Sequence, residues 1–290
     1  MSVSQLSRID PPQDQQEDNA MKYYLYNPLA NNGIKSHIPE GAQLIDASKT
    51  DYPEFFAGLK EDDEVVLIGG DGTINYLINH IDTDMLKNNV YLYGNGTGND
   101  FLNDINEPPG KEILLNPYLV NLPVASVNGR KYKYINNMSF GIDGYCCEEA
   151  DKIKAKKPNK KINYTAIAIK GLLYAFRPRH AWVEVDGKEY EFDNCWLAPA
   201  MKGRYCGGGM MLAPGQDRNS DHLTVIVYMS KSKLKSLMKF PLIFDGRHVE
   251  LTDMVKVITG KKIHVRFSEP CAVQIDGETI LNVSEYRAEV

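Results

Sequence analysis

The apolar positions change period sharply in one stretch, Val65–Asn75. Val65, Val66, Leu67 and Ile68 form a continuous apolar run. After Gly69-Gly70-Asp71-Gly72, Ile74, Leu77, Ile78 and Ile81 recur at helical spacing. The run predicts a strand buried on both faces, and the second spacing predicts a helix. Similar strands are predicted at Lys22–Tyr26 and Val90–Tyr93, with a helix over Tyr52–Leu59. Strands alternating with helices predict a parallel sheet. From about Pro117 the period shifts toward two. Tyr118–Ser126 and Lys131–Ile135 flank Asn128-Gly129, and Ala181–Val185 and Tyr190–Phe192 flank Asp186-Gly187. These are hairpin signals. Leu223, Val225, Val227 and Met229 alternate as well. One helical stripe, Ile162, Ala166, Ile169, Leu173 and Phe176, interrupts this region and is bounded by Pro178. The expected fold is α/β + β: an N-terminal α/β nucleotide-binding domain with a parallel sheet, then a β-rich sandwich domain.

The turns carry the candidate chemistry. Gly69, Gly70 and Gly72 let a ligand approach the backbone where a helix N-terminus offers free N–H groups to a phosphate. Asp71 would oppose that phosphate unless a cation lies between them, which suggests a Mg²⁺-linked carboxylate. The same residues also fit a plain tight turn with Asp71 as a helix cap. A second unit, Gly94-Asn95-Gly96-Thr97-Gly98-Asn99-Asp100-Phe101, follows the Val90 strand. Two such loops at neighbouring strand ends would share one crevice. Asn27, before Pro28, fits either a nucleotide contact or an Asn holding its own turn. Asp276-Gly277-Glu278, taken alone, reads as a hairpin turn.

Composition narrows the classes. The 290 residues carry a net charge of −5, which argues against a nucleic-acid partner. Hydrophobic content is 43%, and no apolar run reaches the roughly 20 residues that span a bilayer. The five cysteines include no CxxC pair, so neither a zinc site nor a disulfide framework is expected. Residues 1–20 read as a disordered tail, and Met21 could equally be the natural start. No secretory signal is recognised, and a cytoplasmic location is expected. Lys152, Lys154, Lys156, Lys157, Lys160 and Lys161 form one basic run. Lys231, Lys233, Lys235 and Lys239 form another, beside Leu234, Leu237 and Phe240. Either run fits a solvated face or peripheral contact with anionic lipid.

Gly69–Asn75 (GGDGTIN) and Gly96–Phe101 (GTGNDF) resemble the diacylglycerol kinase catalytic-domain family, which includes bacterial lipid kinases and sphingosine kinases. The likeness runs from Asn27 to Glu278. It implies an ATP-dependent lipid kinase acting on diacylglycerol or a related lipid alcohol. ATP and Mg²⁺ would be held by Asn27, Gly69, Gly70, Gly72, Thr73, Asn75, Gly96, Thr97, Gly98, Asn99 and Asp100. Asp71 would serve the metal and the chemistry. Asp276 is implied as general base, with Glu278 close by. The segment Gly207–Pro214 with Asp221-His222-Leu223 resembles one that holds a structural Mg²⁺, implying Asp221 and the carbonyls of Arg218 and Leu223 as ligands. His222 stands where that family has glycine, Lys202 where it has asparagine, and Leu102-Asn103 where Ala-Arg is common. The implied division is residues 21–115 for ATP and 116–283 for the lipid, with residues 284–290 a candidate to return to the first. The expected location is the inner face of the membrane. Homodimerisation is left open, as are two alternatives, an NAD kinase-like enzyme and a non-catalytic nucleotide-binding regulator.

Overall fold

The computed structural model describes residues 20–28, 42–95, 99–157, 160 and 162–290. The expected tail falls almost wholly outside these residues. A five-stranded sheet contains β1 (Lys22–Tyr26), β2 (Gln43–Asp46), β3 (Glu64–Gly69), β4 (Asn89–Gly94) and β5 (Glu112–Leu114), in the order β2-β1-β3-β4-β5. The first four are parallel, as the alternation of strands and helices predicts, whereas β5 runs antiparallel to β4. Val65 and Leu67 of β3 pack into the main core with Leu25, Ile74, Leu77, Leu92 and Phe101. Val66 and Ile68 point to the opposite face, beside Tyr24. Burial on both faces is why the run does not alternate.

Three helices belong to this part: α1 (Tyr52–Ala57), α2 (Asp71–His80) and α3 (Asp100–Asp104). Asp51 caps α1 through its carboxylate, 3.0 Å from the Glu54 N–H. By contrast, α2 begins at Gly70 with no side-chain cap. Its first N–H groups therefore remain available to a ligand.

The rest of the chain builds one large sheet. Its strands are β6 (Val124–Val127), β7 (Arg130–Lys133), β8 (Asn137–Phe140), β9 (Arg179–Val185), β10 (Lys188–Leu197) and β11 (Ala200–Met201). They continue with β14 (Leu223–Met229), β15 (Val255–Gly260), β16 (Lys262–Ile275) and β17 (Glu278–Glu289). The short pair β12 (Tyr205–Cys206) and β13 (Met210–Met211) stands apart. β16 is long enough to pair with β9 through Ile263–Phe267 and with β8 through Val273–Ile275. The sheet thereby closes on itself into a barrel-like sandwich. β14 is buried on both faces, with Leu223, Val225 and Val227 on one side and Ile226 and Tyr228 on the other. Residues 284–290 lie in this sheet, where Arg287–Glu289 of β17 pair with β6, and do not return to the five-stranded one.

Two-residue turns set the hairpin registers. Asn128-Gly129, Asp186-Gly187 and Asp276-Gly277 all take positive φ at both positions, the requirement of a type I′ turn. Three helices pack beside this sheet: α4 (Ile142–Lys156), α5 (Tyr164–Lys170) and α6 (Lys233–Lys239). The expected Ile162–Phe176 stripe divides into α5 and a π-helical turn, Gly171–Ala175.

Candidate active site

The crevice begins where the sequence pattern put it. β3 and β4 are adjacent and parallel, and the Asn95 N–H reaches the Gly69 carbonyl at 2.8 Å. Asp71 opens α2, but its carboxylate serves the second loop. Its two oxygens accept the N–H groups of Asp100 at 2.9 Å and Phe101 at 3.0 Å. Asp71 is thus a cap after all, though of α3 rather than of its own helix. Each oxygen keeps further lone-pair capacity.

Asp100 is buried and accepts from Gly208 N–H at 3.0 Å and Gly209 N–H at 2.8 Å. Gly207, Gly208 and Gly209 all have positive φ, which lets these N–H groups converge on one carboxylate. Burial, then the nearby Asp71 charge, pushes the Asp100 carboxyl up to about 7. Two adjacent carboxylates, one of them reluctant to ionise, suit a divalent cation. The residues present therefore fit a nucleotide-bound Mg²⁺.

Asp276 lies at the β16–β17 turn with φ 46°. Its Oδ1 accepts from the N–H groups of Asn136 at 2.8 Å and Asn137 at 3.0 Å. Its Oδ2 accepts from Ile135 N–H at 2.7 Å and Asn75 Nδ2 at 3.1 Å. Burial outweighs these four donors and pushes the carboxyl up to about 6. Asn75, expected at the nucleotide, instead reaches from α2 to Asp276. Glu278 opens β17 and is exposed.

A cavity of about 920 Å³ joins these parts. Asn27, Gly69, Gly70, Asp71, Gly72, Thr73 and Asp100 line it, as do Asp276 and Glu278. Ile169, Leu172, Trp196, Phe240 and Ile243 give it an apolar wall. Asn99, in a left-handed conformation at the start of α3, is not part of that lining. Gly96, Thr97 and Gly98 lie outside the described residues.

Of the residues implied for a structural metal, Asp221 alone would offer a side chain, and that side chain is already engaged. Asp221 is 65% exposed, and its carboxylate is already paired with the Lys261 ammonium and with His222 Nδ1 at 2.6 Å. The Arg218 side chain is buried and turned to Asp104, with Nε 2.5 Å from Oδ2. Leu223 opens β14 opposite Gly260. Lys202 is only 5% exposed, and its ammonium donates to the Ser220 carbonyl at 2.9 Å. Two lysine ammoniums thus supply positive charge around this turn. Among the described residues no cluster of three His, Cys, Asp or Glu side chains converges on a metal position.

Asp104 was not singled out by the sequence reading. Its carboxylate is buried and also receives Arg204 Nε at 2.8 Å, tying α3 to the β-rich part. Arg218 continues the link, donating to the Ile135 carbonyl at 2.6 Å and Asn136 Oδ1 at 2.8 Å. The same 135–137 segment cages Asp276. The one sequence signal was a carboxylate two residues after the apolar Phe101-Leu102 pair, which locates no partner.

An open, mostly parallel sheet with a crevice at its strand ends, joined to a β-rich sandwich, is the architecture of a two-part nucleotide-binding protein. Known proteins agree. Residues 32–116 match the diacylglycerol kinase catalytic domain, and residues 136–288 match the YegS C-terminal NAD kinase beta sandwich-like domain. The chain is 25% identical over 264 residues to a diacylglycerol kinase of Mycobacterium tuberculosis (strain ATCC 25618 / H37Rv), covering 83% of each chain. Its fold is like that of a diacylglycerol kinase structure from Bacillus anthracis str. Sterne. That match has a TM-score of 0.63 and 21% identity, and covers 93% of both chains. This chain belongs to the diacylglycerol kinase catalytic-domain family, with a YegS-type C-terminal domain, and is a lipid kinase. Among the described residues no helix is long and apolar enough to cross a membrane.

Proposed function

We propose that the chain transfers the γ-phosphate of ATP to the hydroxyl of diacylglycerol or a closely related lipid alcohol at a membrane surface, with Asp276 as general base. The observation that carries this reading is that one cavity holds all of its parts. It combines an uncapped helix N-terminus, two acidic side chains beside it, a buried carboxylate and an apolar wall. The curated relative named diacylglycerol kinase supports the acceptor class.

Phosphoryl transfer asks mainly for positioning and charge neutralisation. The N–H groups at the start of α2 bind the phosphates. Asp71 and Asp100 would hold Mg²⁺, which when bound neutralises phosphate charge. Asp276 has an affinity for protons, about 6, suited to a base near neutrality. All four of its donors favour the anion, so one must leave before a proton can be taken up. Among the described residues the Asn75 amide is the only side-chain donor and the longest contact, at 3.1 Å. The acceptor hydroxyl takes that place and gives its proton to Oδ2 as its oxygen bonds to phosphorus and ADP departs. Glu278 lies on the same cavity wall and orients the acceptor.

Incubating the protein with radiolabelled ATP, Mg²⁺ and dispersed diacylglycerol, with NAD as a parallel acceptor, tests the reading. Labelled phospholipid is the expected product. Label on NAD, or on neither acceptor, refutes it.

A further inference from the structure

The two lysine runs differ in their surroundings. On α4, Lys152 bridges Glu148 at 2.7 Å and Glu149 at 2.8 Å, and Lys154 faces Asp151 at 3.7 Å. None of the exposed large apolar side chains lies on α4. Lys161 falls outside the described residues. That run reads as a solvated helix face.

The second run is built differently. Ser236, Phe240 and Ile243 in and after α6 face the cavity, as do Ile169 and Leu172 of α5 and the π-helical turn. Lys233 Nζ donates to the Leu173 carbonyl at 2.9 Å and ties the two elements together. Their other side carries Leu234 and Met238, each 64% exposed, and Tyr174, 79% exposed. Leu234 and Met238 are four residues apart and share one face of α6. Lys170, Arg177 and Lys231 flank them in the same segments and are exposed, and Lys239 is half-buried beside them. Among the described residues, none of these four has a carboxylate partner within salt-bridge distance, whereas Lys235 pairs with Asp253 at 2.6 Å. In a chain of net charge −5 this is a local inversion of sign around exposed apolar side chains.

The geometry points to one docking surface: the outer face of α6 and the turn Gly171–Ala175 seats on an anionic phospholipid bilayer. The inner faces of the same elements wall the cavity, so the acceptor lipid enters there without crossing water. Leu234, Met238 and Tyr174 insert at the headgroup boundary while the unpaired cations meet lipid phosphates. This inference rests on the lipid-acceptor reading above and adds the face and the route.

The test uses the full chain with phosphatidylcholine vesicles, with and without phosphatidylglycerol, and a dispersed short-chain diacylglycerol as a soluble acceptor. Wild type is expected to sediment with the anionic vesicles and to be released by salt. Lys231→Gln with Lys239→Gln should weaken binding more than tenfold, since each lysine near such a surface contributes roughly fivefold. Leu234→Ser with Met238→Ser should abolish binding while turnover of the short-chain lipid stays at the wild-type level. Vesicle binding unchanged in both variants overturns the surface. So does a wild type that phosphorylates the short-chain lipid but binds no vesicle. Self-association lost in the variants, without vesicle binding, overturns it in favour of a second copy as occupant. Failure of the wild type on the short-chain lipid overturns the lipid-acceptor reading and this proposal with it.

Discussion

Replacing Asp276 by asparagine separates a base from a structural clamp, and the cage around it sets the magnitudes. At pH 8 the wild-type carboxyl, pushed up to about 6, is ionised in the folded protein. Relative to an ordinary aspartate near 4, that ionisation costs about 3 kcal/mol of stability. Asp276→Asn removes this cost. It also turns an NH₂ group toward donors. Asn75 can turn its amide to accept, but the Ile135 N–H, now 2.7 Å from an oxygen, is left unpaired. An orphaned N–H costs about 1–3 kcal/mol. The two effects offset, so stability should change by less than about 2 kcal/mol, too little to unfold a domain of ordinary stability. Loss of a general base should lower turnover by about 10²–10⁴-fold. Turnover is measured on dispersed diacylglycerol from pH 5 to 9, with thermal melting and ATP binding alongside. Wild-type kcat/KM should rise with pH through an inflection near 6, and the variant should lose that limb. Asn75→Ala is the companion variant. It removes one donor to the anion, so the limb should move to higher pH. Wild-type turnover in Asp276→Asn, or a limb that stays near 6 in both variants, refutes the base assignment.

The other expectations follow from the same contacts. Asp71→Asn should abolish most Mg²⁺-dependent turnover and leave one N–H at the start of α3 without an acceptor; a Mg²⁺ titration of the rate, with ATP binding, checks it. At Gly72 an added Cβ meets nothing within 4 Å, so Gly72→Ala should raise the KM for ATP without lowering the melting temperature. At Gly144 it would lie 2.1 Å from the Ala272 carbonyl oxygen, so Gly144→Ala should cost more than about 2 kcal/mol in a denaturant titration. Asp100 and Asp276 both have raised native values, about 7 and about 6. Their contribution to stability is complete below about pH 4 and lost as pH rises through 6 to 7. Mg²⁺ with nucleotide should therefore stabilise the protein more at pH 8 than at pH 5, as read by melting. EDTA should leave the melting temperature of the nucleotide-free protein unchanged, because the Asp221 carboxylate is already paired with the Lys261 ammonium.

What the sequence determined was local. A four-residue apolar run ending in glycines specifies a strand and a sharp turn wherever it folds, because the requirement lies in the run itself. β3, α2 and the Asn128-Gly129 and Asp186-Gly187 hairpins appear where the pattern put them. Asp276-Gly277 shows the limit of such reading. Its turn chemistry and its caged carboxylate are compatible, and pattern alone could not separate them. α4 escaped because seven of its fifteen residues are charged and its buried positions are the small Gly144, Cys146 and Ala150, on a helix that packs on β16.

Tertiary structure decided the partners. Asp71 caps a helix 29 residues away, and Asp100 receives amides 108 and 109 residues away. Asn75 meets Asp276 across 201 residues. Asp104 with Arg204 and Arg218 carries no local signature at all. Lys202 and Lys261 stand around a turn whose sequence implied a metal. No periodicity encodes such contacts, because they depend on which surfaces the two sheets bring together. The same holds for the lysines: both runs are basic in sequence and each contains paired members, but only folding sets the second beside exposed Leu234 and Met238. A side chain's charge is written in the sequence, but whether that charge is neutralised, buried or free is a property of its neighbours in space.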